Sequence, residues 1–140
     1  DQLQATFARL WPGPGDGKCK GRGDPGGLAE AEGRINEQVA RRGLLPALQR
    51  SAGEDALIYR DDVPPGPLAG LHPDADAAFG PGTLARTVGT VFEADTDLAV
   101  THGILQSPDG SQRSLFVRVW NREGRRWRIA IDMRTPLPLQ

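Results

Sequence analysis

His102 stands in a period-two run in which Leu98, Val100, His102 and Ile104 share one face of a strand, while Ala99, Thr101, Gly103 and Leu105 share the other. An imidazole flanked by aliphatics has two readings. It is a general base or hydrogen-bond donor in an apolar pocket, with a pKa that small changes of environment move across neutrality. Or it is a packed side chain satisfied by a backbone carbonyl. Asp132 either orients that histidine or pairs with Arg118, Arg128 or Arg134. Tyr59, Arg60, Asp61 and Asp62 lead from a short strand into a long loop, where binding residues gather on a rigid scaffold. A solvated strand end explains them equally well.

Other groupings carry less. His72-Pro73-Asp74-Ala75-Asp76 offers three oxygen or nitrogen ligands at alternate positions, but a metal needs convergence in space, and a turn with capping aspartates has the same composition. Six arginines from Arg113 to Arg128 against the single Glu123 form a basic patch suited to an anion. Without an aromatic stacking platform the patch does not read as a nucleic-acid site. Arg22-Gly23-Asp24 is a chance tripeptide in a loop. Gly13-Pro14-Gly15-Asp16-Gly17-Lys18 lacks the preceding strand and following helix of a phosphate loop.

The elements that must position these residues are readable from spacing. Leu3, Phe7, Leu10 and Trp11 suit a short helix over 2–11. Residues 12–27 hold seven Gly and three Pro, a loop or linker. Asp24-Pro25 then opens a helix over 28–42 with the stripe Leu28, Ala31, Ile35 and Val39, closed by Gly43. A second helix follows over 44–52, stopped by Gly53, and Ala56 to Tyr59 is a short strand. From Asp61 to Gly82, Pro and Gly break every pattern except for one helical turn over 74–79. Alternation resumes over 85–94, 98–107, 113–121 and 126–134, with hairpin chemistry at Ser107-Pro108-Asp109-Gly110 and Arg122-Glu123-Gly124-Arg125. These strands predict an antiparallel sheet whose concave face the helices cover. The aliphatic side, with Leu115, Val117, Val119, Trp127, Ile129, Ile131 and Met133, is assigned to the helices; the side with Arg118, Trp120 and Asp132 is assigned outward, although bulges can switch that parity.

Composition narrows the partners. The chain has 140 residues and a formal net charge of −1, which suits one domain and recommends neither nucleic acid nor an anionic membrane. No apolar run approaches the roughly 20 residues of a membrane span. The single Cys19 excludes an internal disulfide and a cysteine-based zinc site, leaving the redox compartment open. A start at Asp1 rather than Met suits an artificial start or a mature product without its signal peptide, and export to the periplasm is the expectation.

Four segments resemble the ketosteroid-isomerase-like, or nuclear-transport-factor-like, superfamily, and within it the bacterial polyketide-cyclase-like (SnoaL-like) group of unassigned function. They are Ala40-Arg41-Arg42-Gly43-Leu44 with the second helix, Asp55 to Arg60, Thr96 to Gly103, and Phe116 to Ile129. The resemblance covers about residues 28 to 136, with 1–27 as an N-terminal extension. It implies an α+β roll of the cystatin-like kind, a bent sheet forming a cone around an apolar pocket, and dimers paired through the outer sheet face. Relatives include isomerases, dehydratases, hydrolases, cyclases and non-catalytic binders. Ketosteroid isomerases need a carboxylate base with a tyrosine and a protonated acid as oxyanion donors, a trio this chain does not place, since its one tyrosine, Tyr59, ends the first strand. Paired histidines with a tyrosine, as in scytalone dehydratases, match poorly with His72 and His102.

The reading is therefore a pocket domain for a small, mostly apolar ligand, with proton-transfer or hydrolytic chemistry as one option and a non-catalytic binding or dimerisation module as the other. His102, Asp132 and Tyr59 are the candidate catalytic residues. Tyr59, Val100, His102, Val117, Trp127 and Ile129 are the candidate ligand contacts. No cofactor or metal is expected; the expected partners are a small-molecule ligand and a second copy of the chain.

Overall fold

Gly43 separates two helices that would otherwise run on as one. Its φ of 96° lies in the left-handed region that side chains avoid, and its N–H closes the first helix on Val39 O at 2.9 Å. Helix α1 spans Leu28–Arg42 and α2 spans Leu44–Ser51, as the spacing predicts to within a residue. The structure, a computed structural model, describes residues 27–60, 63–72, 74, 76–92 and 97–138. The predicted helix over 2–11 and nearly all of the Gly/Pro-rich extension lie outside the described residues, as do Asp61 and Asp62.

Six strands follow: β1 Ala52–Arg60, β2 Val63–Pro67, β3 Leu84–Phe92, β4 Leu98–Gln106, β5 Arg113–Glu123 and β6 Arg126–Leu137. They form one curved sheet in the order β2-β1-β6-β5-β4-β3, not closed into a barrel. The expected meander of β3 to β6 is present, with Gly110 at positive φ in the β4–β5 turn and Gly124 in the β5–β6 turn. Three details differ from expectation. The sheet is mixed, because β1 enters beside β6 and parallel to it. Gly53 lies inside β1, which starts as soon as α2 ends. And Val63–Pro67, within the Pro-rich stretch, is an edge strand, where prolines are tolerated because a missing N–H can face the open side. Beyond it, the chain makes single 3₁₀ turns at Leu68–Gly70 and Ala77–Phe79.

The sheet faces are the reverse of those expected along β4 and β5. Against the helices lie Ala99, Thr101, Gly103 and Leu105 from β4 and Phe116, Arg118 and Trp120 from β5. The residues Val100, His102, Ile104, Leu115, Val117 and Val119 therefore face out. In β6 one extra residue, Ala130, sits between Ile129, opposite Trp120, and Ile131, opposite Val119. This bulge switches parity. Trp127 and Ile129 point to the helices as predicted, but after the bulge it is Asp132 that turns inward, while Ile131 and Met133 turn out. The physical reason is space as well as polarity: where α1 approaches the sheet, Ala99 and Gly103 leave room for Trp120 and Phe116, which the bulkier valines and isoleucines of the other face would not.

Gly103 shows how tight that approach is. A Cβ there would lie 2.0 Å from the Arg86 carbonyl oxygen and 2.7 Å from Phe116 Cζ. Gly103→Ala should therefore cost about 1–3 kcal/mol or more by overpacking. Urea unfolding measures this, and a loss below about 0.5 kcal/mol, the scale of an ordinary surface substitution, contradicts the close approach.

Candidate functional site

The inner face of the sheet carries two knots of buried charge. The first starts on α1, where Glu32 falls one residue from Ala31 on the buried stripe and four from Leu28. Its carboxylate accepts from Arg118 Nη1 at 2.7 Å, from the Thr101 hydroxyl at 3.0 Å and from the Thr87 hydroxyl. Arg118 Nη1 also donates to Asn36 Oδ1 at 2.9 Å, Asn36 donates through Nδ2 to Thr87 at 3.0 Å, and Trp120 Nε1 donates to Thr101 at 2.9 Å. One helix and three strands are thereby tied together. The Arg118 side chain is 1% exposed and its guanidinium carbon lies 4.0 Å from the centre of the Phe116 ring.

The second knot lies one strand along. Asp132 stands opposite Arg118 in the β5–β6 register, and its Oδ2 is 2.9 Å from Arg60 Nη1. Arg60 also donates to Asp76 Oδ2 at 3.2 Å and Oδ1 at 3.4 Å, and Arg134 donates to Asp76 as well. Burial pushes the Asp132 pKa up, against the pull of Arg60 and Arg118. Burial works against the Arg60 charge too, but Asp132 and Asp76 outweigh it and raise its pKa. With all six groups ionised, three arginines balance three carboxylates.

Of the sequence-predicted residues, Asp132, Trp127 and Ile129 reach this inner face. Tyr59, Val100, His102 and Val117 face the other way. Tyr59 stands opposite Met133 and is 38% exposed; His102 lies in the outer register between Gly89 and Val117. Partial burial lowers the His102 pKa. His102 and Tyr59 are thus not brought together with Asp132, whose partners are arginines, one of the two options the sequence leaves open. His72 and Asp74 are exposed, whereas Asp76 is held by Arg60 and Arg134, so that trio does not converge. Glu32, Asn36, Thr87, Thr101 and Arg60 went unremarked as interior residues. Their signal was present: a carboxylate on an apolar helix stripe must find a buried cation, and Arg118, Thr101 and Asp132 fall on the face judged outer.

Two clefts lie at the end of the sheet near the β5–β6 turn. One of about 720 Å³ is lined by Gln49, Glu54, Asp55, Asn121, Glu123, Arg128 and Ile129 among others. The second, of about 260 Å³, lies over Trp120 and Trp127 and between α1, α2 and the β5–β6 hairpin.

No protein-family model and no curated protein matches the sequence. Solved structures do. An NTF2-like protein of unknown function from Shewanella baltica superposes with a TM-score of 0.63 at 16% identity, covering 80% of this chain and 92% of that one. The chain has the cystatin-like fold of NTF2-like proteins. A cystatin-like protein of unknown function from Nostoc punctiforme gives 0.58 at 9% identity over 79% of this chain and 89% of that one. A protein from Parabacteroides distasonis, provisionally named a ketosteroid isomerase, gives 0.58 at 14% identity over 79% and 85%. The NTF2-like fold places α1 and the inner sheet face together, which is where both charge knots lie.

Arg118→Met should cost about 3–5 kcal/mol, because it strands the Glu32 carboxylate without its cation. Adding Glu32→Gln should recover a substantial part. Chemical denaturation of the two single variants and the double variant measures the coupling, and strictly additive losses contradict a buried pair.

Proposed function

We propose that this chain is a small-molecule-binding domain whose ligand meets Arg118 at the inner face of the sheet through a carboxylate or carbonyl oxygen. The observation that carries this reading is the state of the Arg118 guanidinium. Its Nη1 serves Glu32 and Asn36, while Nε and Nη2 are buried without an acceptor among the described residues. A buried donor left unmatched costs about 1–3 kcal/mol, and more when charged. A ligand oxygen placed against these two N–H groups removes that cost and is recognised in the two-pronged geometry arginine favours. The Phe116 ring under the guanidinium and Trp120 on the same face are each 1% exposed, so a mostly apolar ligand would enter by displacing this packing.

Proton transfer is the chemistry that fits such a site. Asp132 lies opposite Arg118 on the same sheet face and is the buried carboxyl we assign as proton carrier; burial pushes its pKa up while Arg60 and Arg118 pull it down. That assigns acid or base work to Asp132 alone among the sequence candidates, since His102 and Tyr59 face outward. The outer face supports a second proposal, that two copies pair through it. It is aliphatic across β1, β6, β5 and β4, with Leu57, Tyr59 and Leu98 exposed, whereas Val100, Leu115 and Val117 on the same face are buried.

Ligand titrations followed by NMR test the binding reading, with benzoate and acetophenone as acceptor-bearing probes and benzylamine as a cationic control. Benzoate and acetophenone should shift the Arg118 Nε–H and Trp120 Nε1–H resonances, and Arg118→Lys should weaken both at least tenfold, about 1.4 kcal/mol. Equal effects from benzylamine, or affinity unchanged in Arg118→Lys, would count against the proposal. For the pairing, Leu98→Asp should convert a dimer to a folded monomer in sedimentation equilibrium; a wild-type chain that sediments as a monomer removes it.

A further inference from the structure

The cleft of about 260 Å³ gathers five arginines from two consecutive helices and a hairpin far along the chain: Arg34 on α1, Arg50 at the end of α2, and Arg125, Arg126 and Arg128 on the β5–β6 hairpin. Among the described residues, Glu30 is the one acid in its lining. We propose that this cleft binds a compact phosphate anion, pyrophosphate or a phosphomonoester group, and that it is separate from the Arg118 site.

The charge distribution supports this. The whole chain carries a formal net charge of −1, so a concentration of guanidinium groups around one small cleft is local. Glu30 lies 3.8 Å from Arg34 with both side chains at least 70% exposed, a contact too wet to hold either in place. Arg128 is engaged by Glu123 at 3.2 Å and by the Ala52 carbonyl at 3.4 Å, which fixes one wall. Arg50, Arg125 and Arg126 are exposed and available to an anion. Guanidinium groups suit phosphate because their paired N–H groups match two of its oxygens at once.

The size and the floor select the ligand. Trp120 and Trp127 are buried at 1% and 8% exposure, and the Arg122 guanidinium sits 5.2 Å from the centre of the Trp127 ring. That leaves no open aromatic face for a nucleobase to stack on, so a nucleic-acid strand is disfavoured and a small anion resting on a rigid apolar floor is favoured. Three of the six arginines in the basic run, Arg125, Arg126 and Arg128, line the cleft, whereas Arg118 is buried and Arg122 pairs with Asp97 at 3.1 Å.

Phosphate groups come free in solution or on a membrane surface, and the test separates them. The full chain is titrated calorimetrically with inorganic pyrophosphate and, in parallel, mixed with phosphatidic acid vesicles and pelleted. Saturable pyrophosphate binding without vesicle pelleting is expected, weakened at least tenfold in Arg50→Gln/Arg126→Gln. The Arg41→Gln/Arg42→Gln control, which removes the same charge from the far end of α1, should bind as the wild type does. Arg118→Lys should also bind pyrophosphate normally, which keeps this result distinct from the fate of the inner site. Absence of saturable binding, pelleting with vesicles in its place, or equal weakening in the control each overturns the proposal. Thermal unfolding without ligand shows that the variants are folded.

Discussion

The contact between Glu32 and Arg118 is the constraint on which the rest of the arrangement depends. It joins residues 86 positions apart, one on the first helix and one on the fifth strand. Taking both charges out of water costs several kcal/mol per ion, so the pair persists only with good geometry and with its remaining polar atoms served. Thr87, Thr101 and Asn36 do that for Glu32 and for one arm of Arg118. The consequence is orientational. Hydrophobic packing alone tolerates a helix rotated or slid along a sheet, whereas a buried carboxylate has to meet its arginine.

Bending of the sheet follows the same division of labour. β3 shifts register between Thr87 and Gly89, and β6 carries its extra residue at Ala130, so both strands turn at the level of the charged layer. On one side of the Ala130 bulge, Trp127 and Ile129 complete the apolar core with α2; on the other, Asp132 and Arg134 form the polar floor with Arg60 and Asp76. One strand thus serves two environments. The Arg118 N–H groups without an acceptor among the described residues lie on this inner face, which is why the proposed ligand is placed there.

Much of the fold was legible in the sequence, and the reasons are local. Gly43, the apolar stripe of α1 and the two hairpin turns each act within a few residues, so spacing alone located both helices and the four-strand meander. The parallel entry of β1 beside β6 was not legible, because a pairing between residues about 75 apart leaves no local mark. The sheet faces were misread because polarity was taken to mean exposure. A face with Arg118 and Asp132 is polar, yet Glu32 on a helix stripe and Arg60 at a strand end supply buried partners that turn it inward. His102 looked like a pocket residue for the complementary reason, its aliphatic neighbours.

Side-chain NMR of Arg118 tests the central claim most directly. If the guanidinium is buried at the inner face with two donors unspent, its Nε–H exchanges slowly with water near neutral pH, far more slowly than that of exposed Arg41, and the resonance moves when an acceptor-bearing ligand binds. An Arg118 Nε–H that exchanges as fast as that of Arg41, and that no ligand moves, would mean that the polar face is open to water and that the inner site does not exist.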